Sequence, residues 1–130
     1  MIIKMKNEAQ IGFGGGCHWC TEGVFQSLKG VSHVDQGWIA STGANKSLSE
    51  GVVVTYDPEL ISLNVLIEIH LRTHSSTSNH SMRHKYRSAV YVLIETEKES
   101  INTLLKDLQR YFNEPLITQT LYLESFKLNE

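Results

Sequence analysis

The chain has 130 residues, 41% hydrophobic and 20% charged, with a net charge of −2, the proportions of a single globular domain over residues 1–130. A chain of this size buries roughly two-thirds of its unfolded surface, so its fold requires neither a disulfide framework nor a structural metal. The near-neutral charge excludes the basic field that non-specific nucleic-acid binding needs, and no apolar run is long enough for a membrane span, so neither nucleic acid nor membrane is an expected partner.

The N-terminal "MIIKMKNEAQ" sets lysines among its few apolar residues and has no signal-peptide core, which places the chain in the cytoplasm. In "AQIGFGG", Ile11 and Phe13 alternate as in a short strand, and the glycines end it. A helix should follow across "CHWCTEGVFQSLKG", with Cys20, Val24 and Leu28 on one stripe, Phe25 beside it and Gly30 as the stop. "VSHVDQGWIA" and "EGVVVTYDP" read as two strands joined by a polar segment. Ser62 is placed to cap a helix through "LNVLIEIHLRTH", after which residues 75–86 show no period and read as a loop. "YRSAVYVLI" is a further strand. "TEKE", Thr96 to Glu99, matches a capping box ahead of Ile101, Leu104, Leu105, Leu108 and Phe112, so a third helix is predicted there. "EPLITQTLYLESF" has an ambiguous pattern that accommodates one more strand. Residues 9–94 thus give strand, helix, strand, strand, helix, strand. That is the α+β, ferredoxin-like split βαβ order (an α/β plait), here with an added C-terminal helix and tail.

The only two cysteines, Cys17 and Cys20, lie three apart, a spacing that suits redox work or metal binding better than a structural crosslink in a chain without an export signal. Cys17 falls at the start of the first helix, where unpaired amides and the positive end of the helix dipole favour the reactive thiolate. Glycines 14 to 16 let the backbone turn sharply out of the strand and leave room beside the sulfur. The same glycines would also serve a plain strand-to-helix turn with Cys17 as a small residue that fits. For Cys20 two readings stand: a core residue on the stripe with Val24 and Leu28, or a second redox thiol.

"GFGGGCHWCTEGVFQSLKGV" closely resembles the signature of the A-class peptide methionine sulfoxide reductases: a Gly-rich turn, Gly-Cys-Phe-Trp, then Glu, Phe and a Leu-x-Gly-Val ending. "SEGVVVTYDPELIS" is similar to the family's Glu-containing strand followed by Tyr-Asp-Pro, and "KYRSAVYV" to its Gln-Tyr-Arg-Ser-Ala strand; the three blocks stand in the family's order within residues 9–95. The resemblance implies reduction of methionine S-sulfoxide, free or in peptides and proteins. Cys17 would be the nucleophile and Glu50 the general acid. Tyr86 would hydrogen-bond the sulfoxide oxygen, and Trp19, with His18 beside it, would line the pocket for the substrate's methyl group. The sulfenic acid left on Cys17 would condense with Cys20, the only other thiol, or be attacked by an external one. No metal or organic cofactor is implied. Electrons would come from an external thiol reductant: thioredoxin, a glutaredoxin-like protein or a small thiol.

The sequence also departs from the pattern. His18 stands where the family has phenylalanine, and the segment between Trp38 and Glu50 is short and lacks the usual tyrosine. Ser81 occupies the place of an aspartate, and the tail carries no distal cysteine. These differences surround the substrate and predict an altered substrate preference or reduced activity. Other readings stay open. A zinc site would draw on Cys17 and Cys20 with His70, His74, His80 or His84. A Cys-x-x-Cys disulfide oxidoreductase would use the two thiols directly. A non-catalytic relative would only bind methionine-containing partners.

Overall fold

The computed structural model describes residues 8–129; the segment read above for its lack of an export signal lies, up to residue 7, outside the described residues. Ile11 and Phe13 of β1 (Ala9–Gly14) face the helices, and the strand runs straight into the glycine turn. The other elements follow as α1 (His18–Gln26), β2 (Val31–Ala40), β3 (Ser49–Tyr56), α2 (Leu63–Arg72), β4 (Ala89–Val92), α3 (Glu95–Leu108), β5 (Gln119–Tyr122) and β6 (Ser125–Leu128). They form one six-stranded sheet in the order β5-β4-β1-β3-β2-β6. Its central β4-β1-β3-β2 part, antiparallel throughout, is the expected split βαβ arrangement. β2 and β3, directly after α1, pair antiparallel, whereas a Cys-x-x-Cys disulfide oxidoreductase carries its motif in a parallel βαβ unit. No helix among the described residues is long and apolar enough to cross a membrane.

One face of the sheet carries the main core, in which Phe13, Val52, Val54 and Val90 meet Phe25 of α1, Leu66, Ile67 and Leu71 of α2, and Ile101 of α3. The rings of Phe13 and Phe25 stack with centroids 4.7 Å apart. That contact corrects the predicted stripe: α1 turns His18 and Phe25 inward, while Cys20 is exposed and Val24 only half-buried. Burying a phenyl ring against another removes more apolar surface than burying Val24 or a thiol, so Phe25 sets the helix's rotation. The helix also stops at Gln26, ahead of Gly30, whose φ of +100° belongs to the turn into β2.

Ser62 caps α2 as predicted, its hydroxyl accepting the Val65 amide at 3.2 Å. The predicted capping box of α3 does not form. The helix begins at Glu95 with Ile94 in the capping position, so Thr96 already lies inside the first turn, and Glu97 instead accepts the Leu93 amide at 3.3 Å. Strand β4 is shorter than the predicted run and leaves Tyr86 ahead of it in the loop.

The tail holds two strands on opposite edges of the sheet: β5 pairs parallel with β4, and β6 pairs antiparallel with β2. From Tyr122 to Ser125 the chain reaches at most about 11 Å, whereas five interstrand steps across a flat sheet span about 24 Å. The sheet therefore curls until the ends of β4 and β2 meet at this corner. Leu123 N donates to Val92 O at 2.8 Å and Glu124 N to Ala40 O at 2.9 Å, one strand end each. The hollow so formed is filled by Ile39, Val53, Ala89 and Tyr91 under Leu121, Leu123 and Phe126.

At Gly37 a Cβ would sit 2.0 Å from the backbone oxygen of Lys127. Gly37→Ala should therefore push β6 off the edge of β2. The expected result is a loss of about 2 kcal/mol in urea unfolding, with the Ser125–Leu128 amides exchanging faster while those of β1 keep their protection.

Candidate active site

The turn between β1 and α1 is shaped by a histidine behind it. Gly15 has φ +147°, and a Cβ there would lie 2.5 Å from the His74 ring. Past this turn comes Cys17, the residue that precedes the first helical residue, and its carbonyl accepts the Thr21 amide and hydroxyl at 3.1 Å each. No neighbouring side chain caps α1. The cap comes from across the sheet, where Glu50 Oε1 accepts the His18 amide at 3.1 Å. Glu50 lies on β3 opposite Trp38 of β2, on the same face as Val52 and Val54, and is 9% exposed.

His18 is buried. Its Nδ1 lies 2.8 Å from the Gly37 carbonyl and so acts as donor, and its Nε2 is 3.8 Å from Glu50 Oε1. The imidazole edge meets the rings of Trp38 at 5.3 Å and Trp19 at 6.0 Å between centroids. Trp19 is 64% exposed on the outer side of α1.

Cys17, Cys20 and Tyr86 line one cleft of about 270 Å³, together with Thr21, His74 and His80. The structure thus brings both thiols and the tyrosine to one opening, and holds His18 and Glu50 behind the start of α1. Trp19 stands outside that cleft. The reading of Cys20 as a core residue is corrected: it is exposed, because α1 is rotated to bury Phe25.

Several participants carried no signal in the sequence. Lys85 Nζ stands 3.8 Å from Glu50 Oε2, and the Lys85 carbonyl accepts the Glu50 amide at 2.8 Å. Its ammonium is pushed above the usual lysine value, first by its hydrogen bond to Tyr86 and then by the charges of Tyr86, Glu50 and Cys17. Arg83, alone in a polar stretch without periodicity, staples the loop: Nη1 donates to Gly15 O at 2.7 Å and Tyr86 O at 2.8 Å, and Nε to Ser78 O at 2.8 Å.

His70 and His74 are committed elsewhere than to a metal. His70 Nε2 donates to Gly14 O at 2.7 Å, His74 Nδ1 donates to His70 O, and His74 Nε2 meets Ser88 Oγ at 2.7 Å. Among the described residues no three of the histidine, cysteine and acidic side chains stand together as a metal site would require. Burial, then the neighbouring His74, holds His70 well below the usual histidine value, and burial holds His74 down to about 4. Both rings are neutral, packed 4.3 Å apart behind the glycine turn.

A family model described as "Peptide methionine sulfoxide reductase" matches residues 9–130. The chain is 31% identical over 128 residues to peptide methionine sulfoxide reductase MsrA of Pasteurella multocida, covering 88% of this chain and 74% of that protein. It is 31% identical over 134 residues to the MsrA of Deinococcus radiodurans, covering 91% of this chain and 65% of that one. Among solved structures, Mxr1 from Saccharomyces cerevisiae in complex with Trx2 shares the fold with a TM-score of 0.78 at 18% identity, over 96% of this chain and 84% of Mxr1.

Two outcomes follow from the electrostatics. Lys85→Gln removes the positive charge facing Cys17 and Glu50, and iodoacetamide alkylation of Cys17 near neutral pH, followed in a Cys20→Ser background, should slow several-fold. The folded state holds His74 neutral down to about 4, while the unfolded chain takes up its proton near 6.5. Stability is therefore full above about 6.5 and falls as pH drops toward about 4, because the unfolded state binds more protons in that window. Urea midpoints measured across this range should show that slope, and His74→Asn should reduce it without abolishing it, because His70 is held neutral in the same direction.

Proposed function

The chain belongs to the peptide methionine sulfoxide reductase family, oxidoreductases that reduce methionine sulfoxide at the expense of thiols, and within that activity we propose that Cys17 is the nucleophile and Glu50 the acid. The observation that carries this reading is the 3.1 Å bond from the His18 amide to Glu50 Oε1, which fixes a buried carboxyl one residue from the thiol. Oε1 is occupied by that amide, so the proton is delivered from Oε2, where Lys85 Nζ, 3.8 Å away, stabilises the carboxylate left behind. The Cys17 thiolate attacks the sulfur of the S-sulfoxide, the oxygen is protonated by Glu50 and held by the Tyr86 hydroxyl, and oxygen passes to Cys17. Methionine leaves, and Cys17 becomes a sulfenic acid.

Cys20 resolves it. Its exposure and its place in the same cleft as Cys17 support this role. The Cys20 thiolate displaces hydroxide from the Cys17 sulfur, a proton completes a water molecule, and the disulfide then takes two electrons from an external thiol. Because Mxr1 has been solved with Trx2, a thioredoxin-type protein is the first candidate reductant, with a glutaredoxin-like protein or a small thiol as the others. Such recycling fits a reducing compartment such as the cytoplasm and a chain that acts as a single domain.

His18, Trp19 and Trp38 form an apolar wall on the Glu50 side of Cys17, outside the cleft that holds Cys20 and Tyr86, and the substrate's methyl group lies against that wall. The polarity expected of His18 in place of phenylalanine is reduced by the bond from its Nδ1 to the Gly37 carbonyl. The substrate is methionine sulfoxide in peptides or proteins, or free.

The deciding experiment is a single turnover of a methionine S-sulfoxide peptide by the fully reduced protein, with the R epimer as control and free thiols counted afterwards. Stereospecific product with both thiols lost is expected. Cys17→Ser should abolish product entirely, whereas Cys20→Ser should give one normal turnover and then recycle slowly with thioredoxin. Normal turnover by Cys17→Ser would refute the mechanism, and absence of product with either epimer would favour a relative that binds without catalysis.

A further inference from the structure

The loop that closes the Cys17 cleft has a second, larger cleft on its other side, about 560 Å³ in volume. Arg83, Arg87, His84, Asn79, Asn45 and Ser47 are among its walls, and no aspartate or glutamate is. Arg87 is only 6% exposed. Its Nη1 donates to the Tyr91 hydroxyl at 3.1 Å and its Nη2 to the Ser47 carbonyl and hydroxyl at 2.8 and 2.9 Å, while its Nε has no acceptor among the described residues. No carboxylate stands within ion-pair distance of Arg87 or Arg83 among the described residues. Arg83 is likewise spent on backbone carbonyls. Neutral acceptors satisfy the hydrogen bonds of a guanidinium without compensating its charge, and a buried unpaired charge is costly unless a counter-charge arrives. The wall thus carries one buried cation, Arg87, and one half-buried cation, Arg83, neither paired with a carboxylate among the described residues, beside open space.

The two clefts share one layer of side chains. Arg83, in the wall of the larger, bonds the carbonyls of Gly15 and Tyr86 in the smaller. Ser88, also in the larger, bonds His74 in the smaller. Only this layer separates the two clefts, so a peptide lying over the loop with its methionine at Cys17, advancing about 3.4 Å per residue, carries its neighbouring groups toward the second opening. We propose that this second cleft is a carboxylate subsite, taking either the terminal carboxylate or an acidic side chain adjacent to the sulfoxide-bearing methionine of the substrate. The inference rests on the reductase reading above, whose own substrate contacts lie in the other cleft.

Two pairs of S-sulfoxide peptides test it: one differing only by Glu against Gln beside the sulfoxide, the other by a free against an amidated C-terminus. At least one acidic member should show a KM about tenfold lower than its neutral partner at unchanged kcat, with the gap closing at high salt. The pair that shows the gap identifies the source of the carboxylate. Asn79→Asp, at an exposed position outside the catalytic groups, should abolish the gap by supplying the missing negative charge. Equal KM within both pairs overturns the subsite. If even the neutral peptides are not reduced, the reductase reading has failed, and calorimetry with N-acetylglutamate against N-acetylglutamine then decides the subsite alone. Binding of the acid only, lost in Asn79→Asp, sustains it, and no binding of either refutes it.

Discussion

A carboxylate on a central strand holds the first amide of a helix that starts without a local cap. That single bond from His18 N to Glu50 Oε1 ties α1 to β3 at the point where the chain leaves the glycine turn, and a cap of this kind contributes about 1 kcal/mol to the helix. Its larger effect is positional. The helix can be entered in only one register, so the residue before it, Cys17, faces the cleft with the amide dipoles of α1 behind it. The stacked Phe13 and Phe25 rings fix the rotation of the same helix from its other end. Between these two constraints Cys20 has no inward position left to occupy, and the pair of thiols shares one opening.

The surroundings of that opening are built from neutral parts held rigidly. Burial keeps His70 and His74 neutral, and their bonds to Gly14 and along α2 tether the turn that precedes the thiol. Arg83 does the same for the 75–86 loop by reaching carbonyls far apart in sequence. Lys85 brings an exposed charge to the site, close to both the carboxylate and the tyrosine.

Much of this was legible beforehand. Strand alternation in Ile11 and Phe13, the β-branched run of β3 and the Ser62 cap carry local signals that tertiary packing did not override, and with them came the central four strands. Cys17, Glu50 and Tyr86 were legible through motif blocks and not through periodicity. The orientation of α1 was not, because a stripe of three residues, Cys20, Val24 and Leu28, competes with a single phenylalanine whose partner, Phe13, lies on a strand. The α3 cap was misplaced by the same kind of competition: β4 hands the chain to the helix through Leu93 and Ile94, leaving no turn in which Thr96 could cap. Arg83, Lys85 and Trp38 each take part of their role from residues far along the chain, Gly15, Glu50 and His18 respectively, which no local pattern records.

The curled corner has a kinetic side. Strand β6 pairs with β2 across some ninety positions of sequence, Gly37 meeting Leu128, so that ladder has no local turn to nucleate it. Closing so long a loop comes late and slowly. Until residues past 125 arrive, β2 presents an unpaired edge and the Tyr91 hollow stands open, the kind of surface on which partly folded chains associate with one another. The strands that seal the sheet would then also be the ones that end its vulnerability during synthesis.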